Sequence, residues 1–430
     1  MAGSPDAAGS SRSRPVTGFD DDLAAAALIQ RRTVRVLSAG QVLGGIAFGA
    51  TISLGAILAG EVSGDESLSG LAAAAVTLGT AVTAVPLAAL ARRRGRRLSL
   101  ASGMAIALVG VAGVITAVAT ASFPLLLVAF LLVGAGQAAN LQSRFAAADL
   151  ATDATRGRDL SIVVWATTIG AVLGPNLTGP GEVVGDLLGL PALTGPYVFT
   201  VLGQSLAIIL YLTALRPDPL LTAQQLVISR EAAGGSPIAP RADRPWPARY
   251  AIFAIAAAHG VMVSVMAMTP VHLLHQGATL TVIGFTISLH IAGMYAVAPV
   301  FGLLADRVGR IPTILVGQAI LAAALVTASF GQDSTLWVTV GLILLGLGWS
   351  ASTVAGSALL TEASSEAHRT RRQGASDFLM SLVGAAGAIL AGVVLGWIGY
   401  GGLAVAVSIA VIATSALAPL ALRGRARAGA

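Results

Sequence analysis

Apolar and polar residues along this chain fall into long blocks, with neither the two-residue alternation of a half-buried strand nor the single apolar stripe of a surface helix. About twenty consecutive apolar residues cross a bilayer core as a helix. Runs of that length lie at roughly 34–59, 71–91, 98–119, 124–147, 160–179 and 196–215, then at 250–273, 281–304, 312–331, 335–360, 374–397 and 402–422. The pattern predicts an all-α membrane protein with twelve transmembrane helices. The longest polar stretch among them, Arg216 to Pro247, contains six prolines and divides the spans six and six. The expected organisation is a polar, disordered tail over 1–33, a six-helix lobe over 34–216 and a linker over 217–248. A second six-helix lobe over 249–422 and a short tail over 423–430 follow. Within the first tail, Asp20 to Gln30 is a candidate interfacial helix.

Composition agrees with a lipid solvent. Hydrophobic residues make up 55% of the chain and charged residues 11%, where a soluble domain carries about 25% charged residues. A soluble enzyme, a secreted disulfide scaffold and a disordered protein are thereby excluded. Cysteine is absent, which removes disulfides, thiolate metal sites and thiol nucleophiles. All 26 basic residues are arginine. Under the span assignment they fall on one side: in both tails, in the linker, at Arg92–Arg97, around Arg144–Arg158, at Arg307 and Arg310, and at Arg369–Arg372. The opposite connections carry only the acidic Glu61, Asp65, Glu66, Glu182, Asp186 and Asp333. The positive-inside rule therefore places both termini in the cytoplasm and the chain in the cytoplasmic membrane. The basic excess is a topology signal, and nucleic acid is not an expected partner.

The two halves echo each other. After the eighth span comes Gly302-Leu-Leu-Ala-Asp306-Arg307-Val-Gly309-Arg310; after the second, 214 positions earlier, comes Ala88-Ala-Leu-Ala-Arg92-Arg93-Arg-Gly95-Arg96. The first copy has Arg92 where the second has Asp306. Gly-x-x-x-Asp-Arg-x-Gly-Arg resembles the loop motif of the major facilitator superfamily, whose two six-helix lobes also match the span arithmetic. The resemblance implies alternating access, with substrate bound near the midplane between the lobes. It further implies that Asp306, Arg307, Gly309 and Arg310 form a conformational latch. Gly170-Ala-Val-Leu-Gly174-Pro175 resembles the Gly-x-x-x-Gly-Pro motif of superfamily antiporters that export drugs. Close helix packing explains the same residues.

Candidate chemistry concentrates in spans seven and eight. His259, His272, His275 and His290, four of the five histidines, fall within 32 residues, and Met262, Met266, Met268 and Met294 within 33. His259, Met262 and Met266 share a helix face, as do His290 and Met294. At about 1.5 Å per residue, the pairs Met266/His290 and Met262/Met294 reach similar depths near mid-membrane. Thioether and imidazole suit a soft monovalent cation such as Cu(I). The same residues also fit a polar lobe interface or a proton relay through His259 and His290, or plain packing. His272 and His275 lie at the outer mouth, suited to metal capture or to solvent.

Met262-x-x-x-Met266 with His290-x-x-x-Met294 resembles the signature of CcoA-like copper importers. That resemblance implies these four residues as copper ligands, copper as transported cargo with no permanently bound cofactor, and copper chaperones as partners; a monomer is expected. Arg144 either anchors an anionic or protonic partner or reaches the interface to pair with Asp149. Asp377 reads as a protonation site or a helix-start cap. There is no phosphate-binding loop of the Walker type and no His-Glu-x-x-His, so a secondary transporter and not an enzyme is expected. Copper uptake and proton-coupled efflux of small amphipathic compounds are the two functions in view.

Overall fold

A computed structural model describes residues 17–65, 68, 70–232, 243–278 and 280–426. Among these, every regular element is an α-helix. The first lobe contains α1 (Thr17–Ser63), α2 (Gly70–Arg94), α3 (Arg96–Ala119), α4 (Phe123–Ala146), α5 (Arg156–Asn176), α6 (Thr178–Leu188) and α7 (Tyr197–Ala214). α8 (Pro219–Ala232) lies in the linker. The second lobe contains α9 (Pro245–His275), α10 (Leu280–Tyr295), α11 (Ala298–Arg307), α12 (Arg310–Phe330), α13 (Thr335–Ala363) and α14 (Glu366–Ala426).

Nine helical stretches among the described residues are long and apolar enough to cross a membrane. One of them, within α14, holds two spans. Straight, the 61 residues of α14 would reach about 90 Å, three times a bilayer core. The chain turns at Gly399, whose φ of 71° and ψ of −178° interrupt the helix. Tyr400 therefore sits beside Thr269 near the end of α9, while Ala418 and Ala421 return to pack with Ala248 and Ala251 at its start. α5 carries the fifth span and α6 follows it in the connection, while the eighth span is broken into α10 and α11. Pro299 stands in the first turn of α11, where its missing N–H costs nothing.

The first helix begins at Thr17, so the tail expected to be disordered over 1–33 is helical in its described part; residues 1–16 lie outside the described set. Gln30 supplies a physical reason. Its amide donates to the Ala147 carbonyl at 2.7 Å and to Asp159 at 2.8 Å, tying the extension to the α4–α5 connection. The linker ends on Asp243, whose carboxylate accepts two bonds from Arg372, each of 2.7 Å, and the Ser365 amide at 3.0 Å. Partial desolvation pushes this carboxyl up, but those bonds outweigh it and hold it below its usual range.

The internal echo is structural. Gly95 (φ 87°) precedes α3 and Gly309 (φ 112°) precedes α12, and each is followed by a buried arginine, Arg96 or Arg310. A side chain at either glycine would be strained at that φ, which explains why both copies keep it. In the first lobe α1 packs on α5 and α7, and α3 on α4; in the second, α13 packs on α9, α10 and α12. α1 and α5 approach closely where Gly170 meets Gly45, whose Cα would lie 2.6 Å from a Cβ at position 170. Gly170→Val should therefore push the two helices apart, costing about 1–3 kcal/mol. Heating followed by size-exclusion chromatography in detergent measures it, and an unchanged melting temperature would contradict this packing.

Candidate functional site

Arg144 occupies the last turn of α4, where the helix dipole favours a cation. Its Nη2 donates to Asp377 Oδ1 at 2.5 Å, with 3% and 0% of the two side chains exposed. Asp377 lies about three turns inside α14, so it is not the helix-start cap that its sequence position suggests. Asp149, the expected partner of Arg144, is held instead by Arg96 at 2.8 Å in a fully buried pair. Arg96, fixed at the start of α3, takes both Asp149 carboxylate oxygens with two nitrogens. Arg144 is left to point at the other lobe.

Further ties between the lobes cluster around this pair. Arg96 also donates to Gln373 of α14 at 2.5 Å. Asp306 accepts the backbone amides of Gly157 and Arg158, at 2.9 and 2.8 Å. Those amides open α5, an N-terminus that favours negative charge. Arg310 pairs with Asp306 at 3.0 Å and donates to the Asp153 carbonyl at 2.5 Å. Gly309 provides the turn, and Arg307 is exposed. Gly302 lies against Gly157 and Ser161, and Gly374 against Ala88. All of these contacts lie at the Arg-rich ends of the helices.

Deeper in the bundle, the Trp349 indole on α13 donates to His259 Nδ1 at 3.0 Å. The Tyr295 ring meets Trp349 edge-on, with centroids 5.7 Å apart. His259 also lies against Gly384, two turns along α14 from Asp377. The aromatic trio thus reaches α14 about two turns from the inter-lobe ion pair.

The Met/His set has a different geometry from the facing hairpin expected. α9 and α10 meet chiefly through α13, which packs against both. Gly346 of α13 lets the α10 backbone close in at His290 and Met294. Met262 and Met294 belong to one buried apolar cluster with Leu342 and Trp349, and Met266 packs against it. His290 is fully buried, and its Nδ1 lies 2.8 Å from the Leu342 carbonyl. A carbonyl only accepts, so Nδ1 carries the proton. Nε2 has no hydrogen-bond partner among the described residues. No group of three or more His, Asp or Glu among the described residues is close enough to hold a metal ion.

At the outer end, His272 stacks on Tyr400 at 4.2 Å and bonds the Gln332 carbonyl at 2.8 Å, whereas His275 is exposed. His272 is therefore built into the α9–α14 junction. Gly170 is a packing contact; Gly174 and Pro175 lie outside the residues whose side chains are described.

The family profile described as Major Facilitator Superfamily matches residues 37–277 and 250–429. The chain belongs to this superfamily. It is 38% identical to the MFS-type transporter YddS of Bacillus subtilis over 85% of each chain. It is 29% identical to the riboflavin transporter RfnT of Brucella anthropi, over 85% of this chain and 90% of that one. Among solved structures, the human organic anion transporter MFSD10 superposes with a TM-score of 0.73 at 18% identity, covering 90% of this chain and 99% of that one. The twelve-span, two-lobe reading is thus the superfamily fold, and the protein is a multi-pass membrane transporter.

Trp349, Tyr295 and Gln373 were not singled out by their sequence context, and Arg96 only as part of the repeated loop. An indole deep in an apolar span needs a hydrogen-bond partner, and that is the one signal by which Trp349 could have been found. Removing one member of the buried Arg144–Asp377 pair leaves an uncompensated charge. Arg144→Gln and Asp377→Asn should each destabilise by about 3–5 kcal/mol, and the double variant should recover most of that loss. Thermal unfolding of the three variants checks this; additive losses in the double variant would contradict a direct pair.

Proposed function

We propose that this transporter moves a small amphipathic organic solute in exchange for protons, with the Arg-rich ends and both termini in the cytoplasm. The observation that carries the reading is the buried Arg144–Asp377 pair, drawn from opposite lobes and adjoining His259, Trp349 and Tyr295. A proton on Asp377 cancels its charge and releases Arg144. The tie at the Arg-rich end then weakens, which favours the state open on that side. Neutral aromatic side chains offer stacking surface to a planar solute. The Asp306 contacts with the start of α5 act in this scheme as a latch, and the Gly170 motif supports exchange. The relationship to a riboflavin transporter makes riboflavin the first organic probe.

A proteoliposome assay with an imposed pH gradient tests this reading. Riboflavin, or ethidium as a lipophilic alternative, should move against the proton gradient with wild type. Asp377→Asn should lose gradient-driven movement while keeping solute exchange at zero gradient. Full gradient-driven transport by Asp377→Asn would defeat the coupling role.

A specific observation also favours copper uptake. A metal-binding histidine commonly donates its other ring N–H to a carbonyl, and His290 has that arrangement with Leu342. Met262 and Met294 lie in the adjoining cluster. On this reading purified protein binds Cu(I) under reducing conditions, and His290→Ala loses it. Equal copper content in wild type and variant would remove the copper reading.

A further inference from the structure

The first lobe contains a narrow recess that the ion pair and aromatic trio do not use. It is lined by Gly44 of α1, Val76 of α2, Met104 of α3, Gln137 and Asn140 of α4, and Gln204 of α7. It has room for one small group, on the scale of a hydroxyl or the N–H edge of a ring. Two buried carboxamides meet it. Asn140 is 7% exposed and Gln204 2%, and neither Asn140 Oδ1 nor Gln204 Oε1 accepts a hydrogen bond from the described residues. Buried acceptors without donors are costly and uncommon in folded proteins. The backbone preserves this arrangement: a Cβ on Gly44 would come within 2.9 Å of the Asn140 carboxamide carbon. Glycine therefore leaves the amide its place.

The chemistry of the lining limits what enters. No ionisable side chain is present, so a charged group would lose its hydration without gaining a counter-charge. Val76 and Met104 supply apolar walls, and the two free oxygens call for donors. We propose that this recess recognises a neutral hydrogen-bond donor of the transported solute, an amide, imide or hydroxyl, whose apolar body remains between the lobes. This deepens the organic-solute reading and rests on it. It assigns Asn140 and Gln204 a specificity role separate from proton coupling by Arg144 and Asp377. Gly44→Ala closes the recess by displacing Asn140.

Riboflavin and its N3-methyl derivative differ by one imide N–H and provide the test, with binding to purified protein in nanodiscs followed by flavin fluorescence polarisation. Wild type should bind riboflavin about tenfold more tightly than the methylated form, as expected for one well-made hydrogen bond. Asn140→Ala and Gln204→Ala should bring that ratio close to one, with a monodisperse size-exclusion profile showing that each variant is folded. A ratio near one in wild type, or a wild-type ratio preserved in both variants, overturns the proposal. If neither flavin binds, riboflavin fails as a substrate, and the recess is judged by thiol chemistry. The chain has no cysteine, so Val76→Cys carries the only thiol. Neutral hydroxyethyl methanethiosulfonate should modify it much faster than the trimethylammonium reagent. Equal rates, or no modification by either, overturn the recess as a neutral-group site.

Discussion

A cation and an anion buried where neither reaches water can remain charged only by facing each other. Arg144 and Asp377 are in that position, and they come from different lobes. Desolvation makes each charge costly alone, so the pair converts an electrostatic requirement into a mechanical one: the lobes stay together at this end while both groups are ionised. The surrounding contacts follow the same logic. Arg96 satisfies Asp149 within its lobe and reaches Gln373 across the gap. Asp306 holds the open amides of α5, using a helix N-terminus as a partial positive charge. Small residues let these backbones come close enough for the polar groups to meet, as at Gly302 and Gly157.

The position of the pair matters as much as its strength. His259 lies against Gly384, two turns along α14 from Asp377, and Trp349 joins it to Tyr295 by a hydrogen bond to one and an edge contact to the other. A proton that discharges Asp377 would be felt along this row without a large rearrangement. Solute in contact with the aromatic trio would bias the same equilibrium. On the proposed reading, proton and solute act on one two-state element, as coupled transport requires.

Architecture was largely legible in the chain because the bilayer imposes lengths. Apolar runs located the spans, the six-proline linker divided them, and the repeat of Gly95–Arg96 at Gly309–Arg310 marked matching turns. Local breaks were less legible. The helical extension before the first span depends on Gln30 meeting Asp159, 129 positions away. The candidate site was legible only as a set of residue types. Arg144 and Asp377 both stood out as charges at span ends, but their partnership joins positions 233 apart and no periodicity encodes it. Asp149, nearer in sequence, was already held by Arg96. For the Met/His hairpin, shared depth suggested facing helices; the intervening α13 is a tertiary fact that spacing along two helices does not contain.

Distance across the closed end measures the central claim directly. Arg93 at the end of α2 and Arg371 near the start of α14 are both exposed, and the absence of cysteine allows spin labels at these two positions alone. Double electron–electron resonance in nanodiscs at neutral pH should give one short distance for the otherwise wild-type chain. With Asp377→Asn added, a second, longer population should appear as the lobes separate. An unchanged distance distribution in that variant would contradict an inter-lobe charge pair that holds the transporter closed at its Arg-rich end.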